Sequence, residues 1–381
     1  MTPWLIVASE FVPTGGMDMP NLALARHLAR TGRVEVVTHR AADELARLPA
    51  VTVRRVPRPL GFDVLGGVLL GRAGLKRARR AAGARVVVNG TNCDCRDINW
   101  VHYVHSAYRR TAAGWARRLK ERIVHPRRCA AERAILPASR VVVCNSHVTA
   151  RDVVERVGVP ADRVRVVYYG IDPDRFAPVT AKERQAARAA LGWGDRPWVV
   201  FVGAMGDTRK GFDTLYAAWR FLCGGARWDA NLAVVGRGAE LPAWQERARA
   251  DGLADRVHFL GFRPDVDRVL AAADAMAHPA RYEAYGLGVH EALCRGLPVL
   301  VSATAGVAER YPPELSDLLL PDPDDTAGLA DRLRAWRRDL EAWPGRVAEL
   351  SAALRAITWD DMATDFVRAA NTMTPCAPDR A

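Results

Sequence analysis

The chain opens with a short apolar run, Trp4–Ser9, that is closed by Pro13-Thr14-Gly15-Gly16. A continuous apolar run of this length bounded by turn formers predicts a buried strand. Leu22, Ala25, Leu28 and Ala29 then recur at helical spacing within 18–30. Val34–Thr38, Val51–Val56, Val86–Asn89 and Val141–Cys144 read as further strands. Strands alternating with helices predict a parallel sheet covered on both faces. The pattern restarts at Trp198–Val202, which runs into Gly203. Asn231–Val235 leads into Gly236-Arg237-Gly238, and Val257–Leu260 into Gly261; Asp274–His278 and Pro298–Val301 follow. This predicts a second α/β unit.

Between the two patterns lies Gly170-Ile171-Asp172-Pro173-Asp174-Arg175-Phe176-Ala177-Pro178, rich in turn formers and read as a linker. The expected division is 1–171 and 172–358. Thr358-Trp359-Asp360-Asp361 opens a last amphipathic helix over 359–373, with Met362, Phe366, Ala369 and Ala370 on one face; it is expected to cross back onto the first domain. The tail around Cys376 reads as frayed.

At 381 residues the chain is long enough for two or three domains of roughly 100–200 residues each. No apolar run approaches the roughly 18–20 residues that cross a bilayer, and the N-terminus lacks a signal pattern. A cytoplasmic protein, peripheral at the inner face of the membrane at most, is expected. The seven Cys show one C-x-C, Cys93/Cys95, and no second pair at zinc spacing, so reduced structural thiols are expected. The net charge of +12 is uneven: residues 1–180 hold 30 Lys/Arg against 15 Asp/Glu. Such asymmetry points to an anionic acceptor or an anionic membrane face. The competing reading is an Arg-rich solvated surface. Nucleic acid is not expected, because no binding motif accompanies the charge.

The stretch with the most chemistry is His278-Pro279-Ala280-Arg281-Tyr282-Glu283-Ala284-Tyr285-Gly286-Leu287-Gly288-Val289-His290-Glu291. Two glutamates eight apart in one straight helix would point about 80° apart. If a helix starts near Gly286 instead, Glu283 lies before it and Glu291 a turn inside it. Both can then line one site. Gly286 and Gly288 lack Cβ atoms, so amides at that helix start can approach an anion. Arg209 and Lys210, in Asp207-Thr208-Arg209-Lys210-Gly211, sit at a strand-to-helix turn and suit phosphate neutralisation. Lys210→Ala is accordingly expected to cost turnover far more than stability. Gly15 and Gly16 form a similar strand-to-helix break. No G-x-G-x-x-G is present, which argues against a dinucleotide oxidoreductase.

Taken in order, these pieces resemble retaining glycosyltransferase family 4. Gly15-Gly16 resembles its glycine loop, and Asn145-Ser146-His147 through Ile171-Asp172 the segment entering its linker. Phe201-Val202-Gly203 with Arg209-Lys210-Gly211 resembles its phosphate turn, and Glu283 to Pro298 its E-x7-E block. The resemblance spans about residues 4–370 and implies the GT-B fold, an α/β architecture of two Rossmann-like domains facing a central cleft. It implies that Lys210 and Arg209 hold the donor diphosphate, Glu283 the sugar and Glu291 the ribose. Leu287 and Gly288 would offer amides to phosphate, and Gly236 and Arg263 would border the base. His105 resembles the acceptor-side histidine, with His102 its rival. One departure stands out: the family commonly has Arg after the glycine at 203, and here it is Ala204.

The implied activity is transfer of a sugar from a nucleoside-diphosphate sugar to an acceptor, a lipid-linked or polysaccharide intermediate among the candidates. No cofactor or metal is expected. Asp172-Pro173-Asp174 and Asp322-Pro323-Asp324 read as turns rather than metal-binding D-x-D motifs. The alternatives are a catalytically silent protein of the same fold that binds a nucleotide sugar or a partner enzyme, which Ala204 favours, and a sugar-nucleotide epimerase. Finally, Tyr108, Ala112, Trp115, Leu119 and Ile123 fall at helical spacing among Arg109, Arg110, Arg117, Arg118, Lys120 and Arg122. Such a helix either lies on an anionic bilayer or packs its stripe on the first sheet. The second is the expectation.

Overall fold

The computed structural model describes residues 2–59, 63–81, 83–108, 115–225 and 228–372. The chain forms two compact units. Of the described residues, the first holds those of 2–108, 123–170 and 357–372, and the second those of 115–122 and 171–356.

The first unit carries a seven-stranded parallel sheet. Its strands are β1 (Trp4–Val7), β2 (Val34–Thr38), β3 (Val51–Arg55), β4 (Arg85–Asn89), β5 (Ile98–Val101), β6 (Val141–Cys144) and β7 (Val164–Val166). The order is β3-β2-β1-β4-β5-β6-β7. Ile6 lies between Val36 and Val87 in register. The strands are apolar because both faces are covered, as all-parallel sheets require. The order reverses between β1 and β4, and ligands of such sheets bind beyond the strand ends at this point. Helix α1 (Asp18–Ala29) follows β1 through the Gly15-Gly16 loop.

The C-terminal helix α6 (Trp359–Asn371) packs on α1. Thr358 and Asp361 form a capping box at its start. Met362, Phe366, Ala369 and Ala370 are buried, with the Phe366 ring 4.6 Å from that of Trp100. Asp360 pairs with Arg30 at 2.8 Å. Gly170 lets this helix in, since a Cβ there would lie 2.2 Å from the Thr358 carbonyl oxygen.

The second unit has a six-stranded parallel sheet of β8 (Trp198–Val202), β9 (Asn231–Val235), β10 (Val257–Gly261), β11 (Ala275–His278), β12 (Val299–Ser302) and β13 (Leu319–Leu320). The order is β10-β9-β8-β11-β12-β13, again reversing, here between β8 and β11. The α/β architecture expected from the alternating runs is therefore present twice.

Helices α2 (Asp63–Arg80) and α3 (Trp115–Ile135) carry much of the basic charge. The described part of the apolar stripe on α3 does not pack on the sheet as expected. Leu119 and Ile123 are 53% and 49% exposed, and Tyr108 is buried on a separate 3-10 turn before the helix. Arg109, Arg110 and Ala112, the side chains of Trp115, Arg117 and Arg118, and the tail around Cys376 lie outside the described residues. No described helix is long and apolar enough to cross a membrane.

Candidate active site

In the second unit, the loop after β8 tightens into a 3-10 turn, Thr208–Lys210. Asp207 caps it by accepting from the Arg209 amide at 3.1 Å. Gly211, at φ +69°, enters α4 (Phe212–Cys223); a Cβ there would lie 1.8 Å from the Pro279 carbonyl oxygen. The Arg281 amide donates to the Arg209 carbonyl at 2.9 Å. The Arg281 guanidinium forks onto Asp213 at 2.8 Å. The turn after β8 is thus sewn to the end of β11, which brings Lys210 onto Glu283. Gly211→Ala is expected to cost at least about 1–3 kcal/mol from the left-handed backbone alone. The clash with Pro279 adds to this and moves Lys210, so denaturant unfolding will show lower stability and donor KM will rise.

The Lys210 ammonium pairs with Glu283 Oε2, and His278 Nε2 donates to the same oxygen at 2.9 Å. Burial works to raise the Glu283 carboxyl, but the Lys210 charge and the His278 bond outweigh it and hold it far below the usual carboxylate range. Burial lowers His278 despite Glu283, so it is the neutral donor here. Its ring lies 5.8 Å from Phe201, and its buried Nδ1 has no hydrogen-bond partner. Lys210 is thus an anchored cation at the β8/β11 switch point.

Gly286, at φ +105°, starts α5 (Leu287–Cys294) with no side-chain cap. The loop before it is fixed by the Gly306 amide on the Glu283 carbonyl (2.9 Å) and the Val307 amide on that of Tyr285 (2.7 Å). The first amides of a helix have no partner within it. Those of Leu287 and Gly288 stand at the positive end of the helix dipole. Gly288 leaves room, since a Cβ there would meet nothing nearer than 3.7 Å. Glu291, one turn in, has no side-chain hydrogen bond or ion pair among the described residues. Burial pushes it up to about 7, against the nearby Arg175.

Arg209 is not on Glu283; its Nε lies 3.8 Å from Asp207. Arg263 forks onto Asp265 at 2.8 and 2.6 Å, so its guanidinium is held by its own loop. Gly236 packs backbone on backbone, its would-be Cβ 1.8 Å from the Gly203 oxygen. Ala204 is exposed. Asp172 and Asp322 accept from amides two residues on, as turn residues. Burial pushes the Cys93 thiol up to about 12, and among the described residues no three His, Cys, Asp or Glu gather as a metal site requires.

In the first unit, Gly15 takes φ +100° beside Asp18, and Gly16 stands in open space. A pocket of about 90 Å³ lies at the β1/β4 switch point, lined in part by Asp18, Asn89, His102 and His105. His102 is locked between Tyr169 Oη (2.5 Å) and Asn89 Nδ2 (2.7 Å), and burial pushes it down to about 3. The His105 and Ser106 amides donate to the Glu132 carboxylate at 2.5 and 2.9 Å. Tyr108 Oη meets His105 Nδ1 at 3.2 Å. His278, Asp18 and Glu132 were not found by sequence reasoning. Glu132 carried one faint signal, being one of two acidic residues in the basic stretch 115–135.

Residues 14–175 match the family model Glycosyltransferase Family 4, and 196–339 match Glycosyl transferases group 1. A relative from Xylanimonas cellulosilytica, named D-inositol 3-phosphate glycosyltransferase, is 31% identical over 92% of this chain and 89% of its own. Among solved structures, WaaG, a glycosyltransferase involved in lipopolysaccharide biosynthesis, has a TM-score of 0.75 at 23% identity, covering 98% of this chain and 100% of its own. HepE from Anabaena, in complex with UDP-glucose, has a TM-score of 0.74 at 18% identity, also covering 98% and 100%. Two doubly wound units, the E-x7-E helix start and these matches agree: the chain belongs to glycosyltransferase family 4 and is a glycosyltransferase of the GT-B type.

Proposed function

We propose that this glycosyltransferase moves a sugar from a nucleoside-diphosphate sugar to an acceptor hydroxyl with retention of anomeric configuration, and without a metal. The observation that carries this is the Lys210–Glu283–His278 cluster beside the uncapped start of α5. Lys210 and the α5 amides supply positive charge where a leaving diphosphate gathers negative charge. Arg209, on the same turn as Lys210, adds a second cation to a site whose position 204 is Ala. Glu283, held ionised, accepts hydrogen bonds from sugar hydroxyls, and Glu291 accepts them from the ribose. In the step itself the acceptor oxygen bonds the anomeric carbon as the bond to the diphosphate oxygen breaks. The acceptor proton goes to the departing phosphate on the same face. The protein's contribution is position and charge. A donor of this class is supported by the UDP-glucose bound to HepE. Nucleoside diphosphate release that survives a chelator, with the product anomer read by NMR, tests the proposal. Chelator-sensitive release or an inverted anomer would refute it.

Nucleotide affinity should also depend on pH. Glu291 sits near 7 when unliganded, and ribose hydroxyls bind its charged form. Binding below that value must first remove a proton, so affinity rises with pH through about 7 and then levels off. The sign for stability is opposite: an acid raised from 4.5 to about 7 on folding loses its contribution as pH rises across that window. Calorimetry of Glu291→Gln should show this pH step gone. Persistence of the full step would place the titrating group elsewhere.

Exposed Leu119 and Ile123 beside Lys120 and Arg122 on α3 support a peripheral contact with an anionic membrane. Co-sedimentation with phosphatidylserine vesicles, weakened in a Leu119→Asp/Ile123→Asp variant, is the expected outcome. Equal sedimentation of the two proteins would refute the contact.

A further inference from the structure

The pocket at the β1/β4 switch point is walled in part by groups that accept hydrogen bonds. Asn21 is 2% exposed; its Nδ2 donates to the Met17 carbonyl at 3.0 Å, which fixes the amide orientation. Its buried Oδ1 is left without a partner. Asn89 gives its Nδ2 to His102, and its buried Oδ1 is likewise unpartnered. Asp18 has no side-chain hydrogen bond or ion pair among the described residues. Glu132 adds a second carboxylate to the wall, its two oxygens held by the 105–106 backbone. All of these line one pocket, and none of the described lining residues is Arg or Lys. The cation acting on Asp18 is Arg40, which is paired with Glu10 at 2.5 Å.

Buried acceptors without partners are costly unless a ligand supplies donors. We infer that this pocket takes an unphosphorylated acceptor rich in hydrogen-bond donors, a polyol or amino-polyol ring, whose hydroxyl or ammonium groups satisfy Asn21 Oδ1, Asn89 Oδ1 and the Asp18 carboxyl. The inference rests on the transferase reading above and names its acceptor class. A phosphomonoester is disfavoured, because its charge would face the Asp18 and Glu132 carboxyls, and no described lining residue is Arg or Lys. The acceptor class therefore differs from the D-inositol 3-phosphate in the relative's name. Burial, with Glu10 nearby, pushes Asp18 up to about 7, and an ammonium group would bring it back down by pairing with it.

Calorimetric titration of the full-length chain with myo-inositol, inositol 3-phosphate and 2-deoxystreptamine, each with and without a nucleoside diphosphate, tests this. The expected result is that the cyclitol or the aminocyclitol binds at least about tenfold more tightly than the phosphate ester. Asn21→Leu, which keeps the volume and removes the oxygen, should weaken that binding with an unchanged circular dichroism spectrum. Asp18→Asn should weaken the aminocyclitol most. Equal or tighter binding of inositol 3-phosphate would overturn the inference. So would binding of none of the three by a protein that binds the nucleoside diphosphate. Cyclitol binding without any nucleoside diphosphate binding would instead sink the donor-site reading and leave this one standing.

Discussion

Lys210→Ala will lower kcat/KM for the nucleotide-sugar donor by about 10- to 150-fold and will also destabilise the protein. The first effect follows from losing a charge-assisted contact to the diphosphate, worth about 1.5–3 kcal/mol, at about 1.36 kcal/mol per tenfold. The second was not expected from the sequence, which placed Lys210 on phosphate alone. Lys210 and Glu283 are only 16% and 15% exposed and are paired. Removing one partner of a buried pair leaves the other uncompensated, at a cost of up to about 3–5 kcal/mol, eased here by the His278 bond. The two effects can be separated. Lys210→Met with Glu283→Gln removes the stranded charge, so denaturant unfolding should recover much of the stability while donor turnover stays low. Recovery of turnover together with stability would mean that Lys210 acts only on the fold.

Glu283 and Glu291 should fail differently. Glu283 precedes the α5 start and Glu291 lies one turn inside it, so the first amides of α5 lie between them. Glu291→Ala is expected to weaken binding of the free nucleoside diphosphate about tenfold or more, through loss of ribose hydrogen bonds to a carboxylate. Glu283→Gln should leave that binding within about threefold, since it spares Lys210 and the amides, yet lower transfer by about 100-fold. Calorimetry with the diphosphate and turnover with the intact donor read the two effects. The same profile from both variants would contradict the division.

The strands were legible because both faces of each sheet are buried, which makes them plain apolar runs. The α5 start was legible because Gly286 must break the chain before the helix. Strand β5 was missed, since Asn99 interrupts its apolar run; Asn99 is tolerated there because its Nδ2 donates to the Gly90 carbonyl at 2.8 Å. The supports of the site were illegible for a different reason. His278 acts through a carboxylate five residues on, and Glu132 clamps amides 27 and 26 positions away. Neither spacing carries a motif. Arg263, which the resemblance sets beside the base, is also paired with Asp265 two residues on, a partner the sequence reading did not weigh. The α3 stripe failed because helical spacing says which side chains share a face, not what covers that face.

The central claim is that the β8/β11 switch point of the second unit binds and spends a nucleoside-diphosphate sugar. The most direct test is release of nucleoside diphosphate from UDP-, ADP-, GDP- and dTDP-sugars by the purified chain, beside the Lys210→Met/Glu283→Gln variant. Release from at least one donor, strongly reduced in the folded variant, is the predicted result; a folded wild-type chain that neither binds nor cleaves any of them would contradict the account.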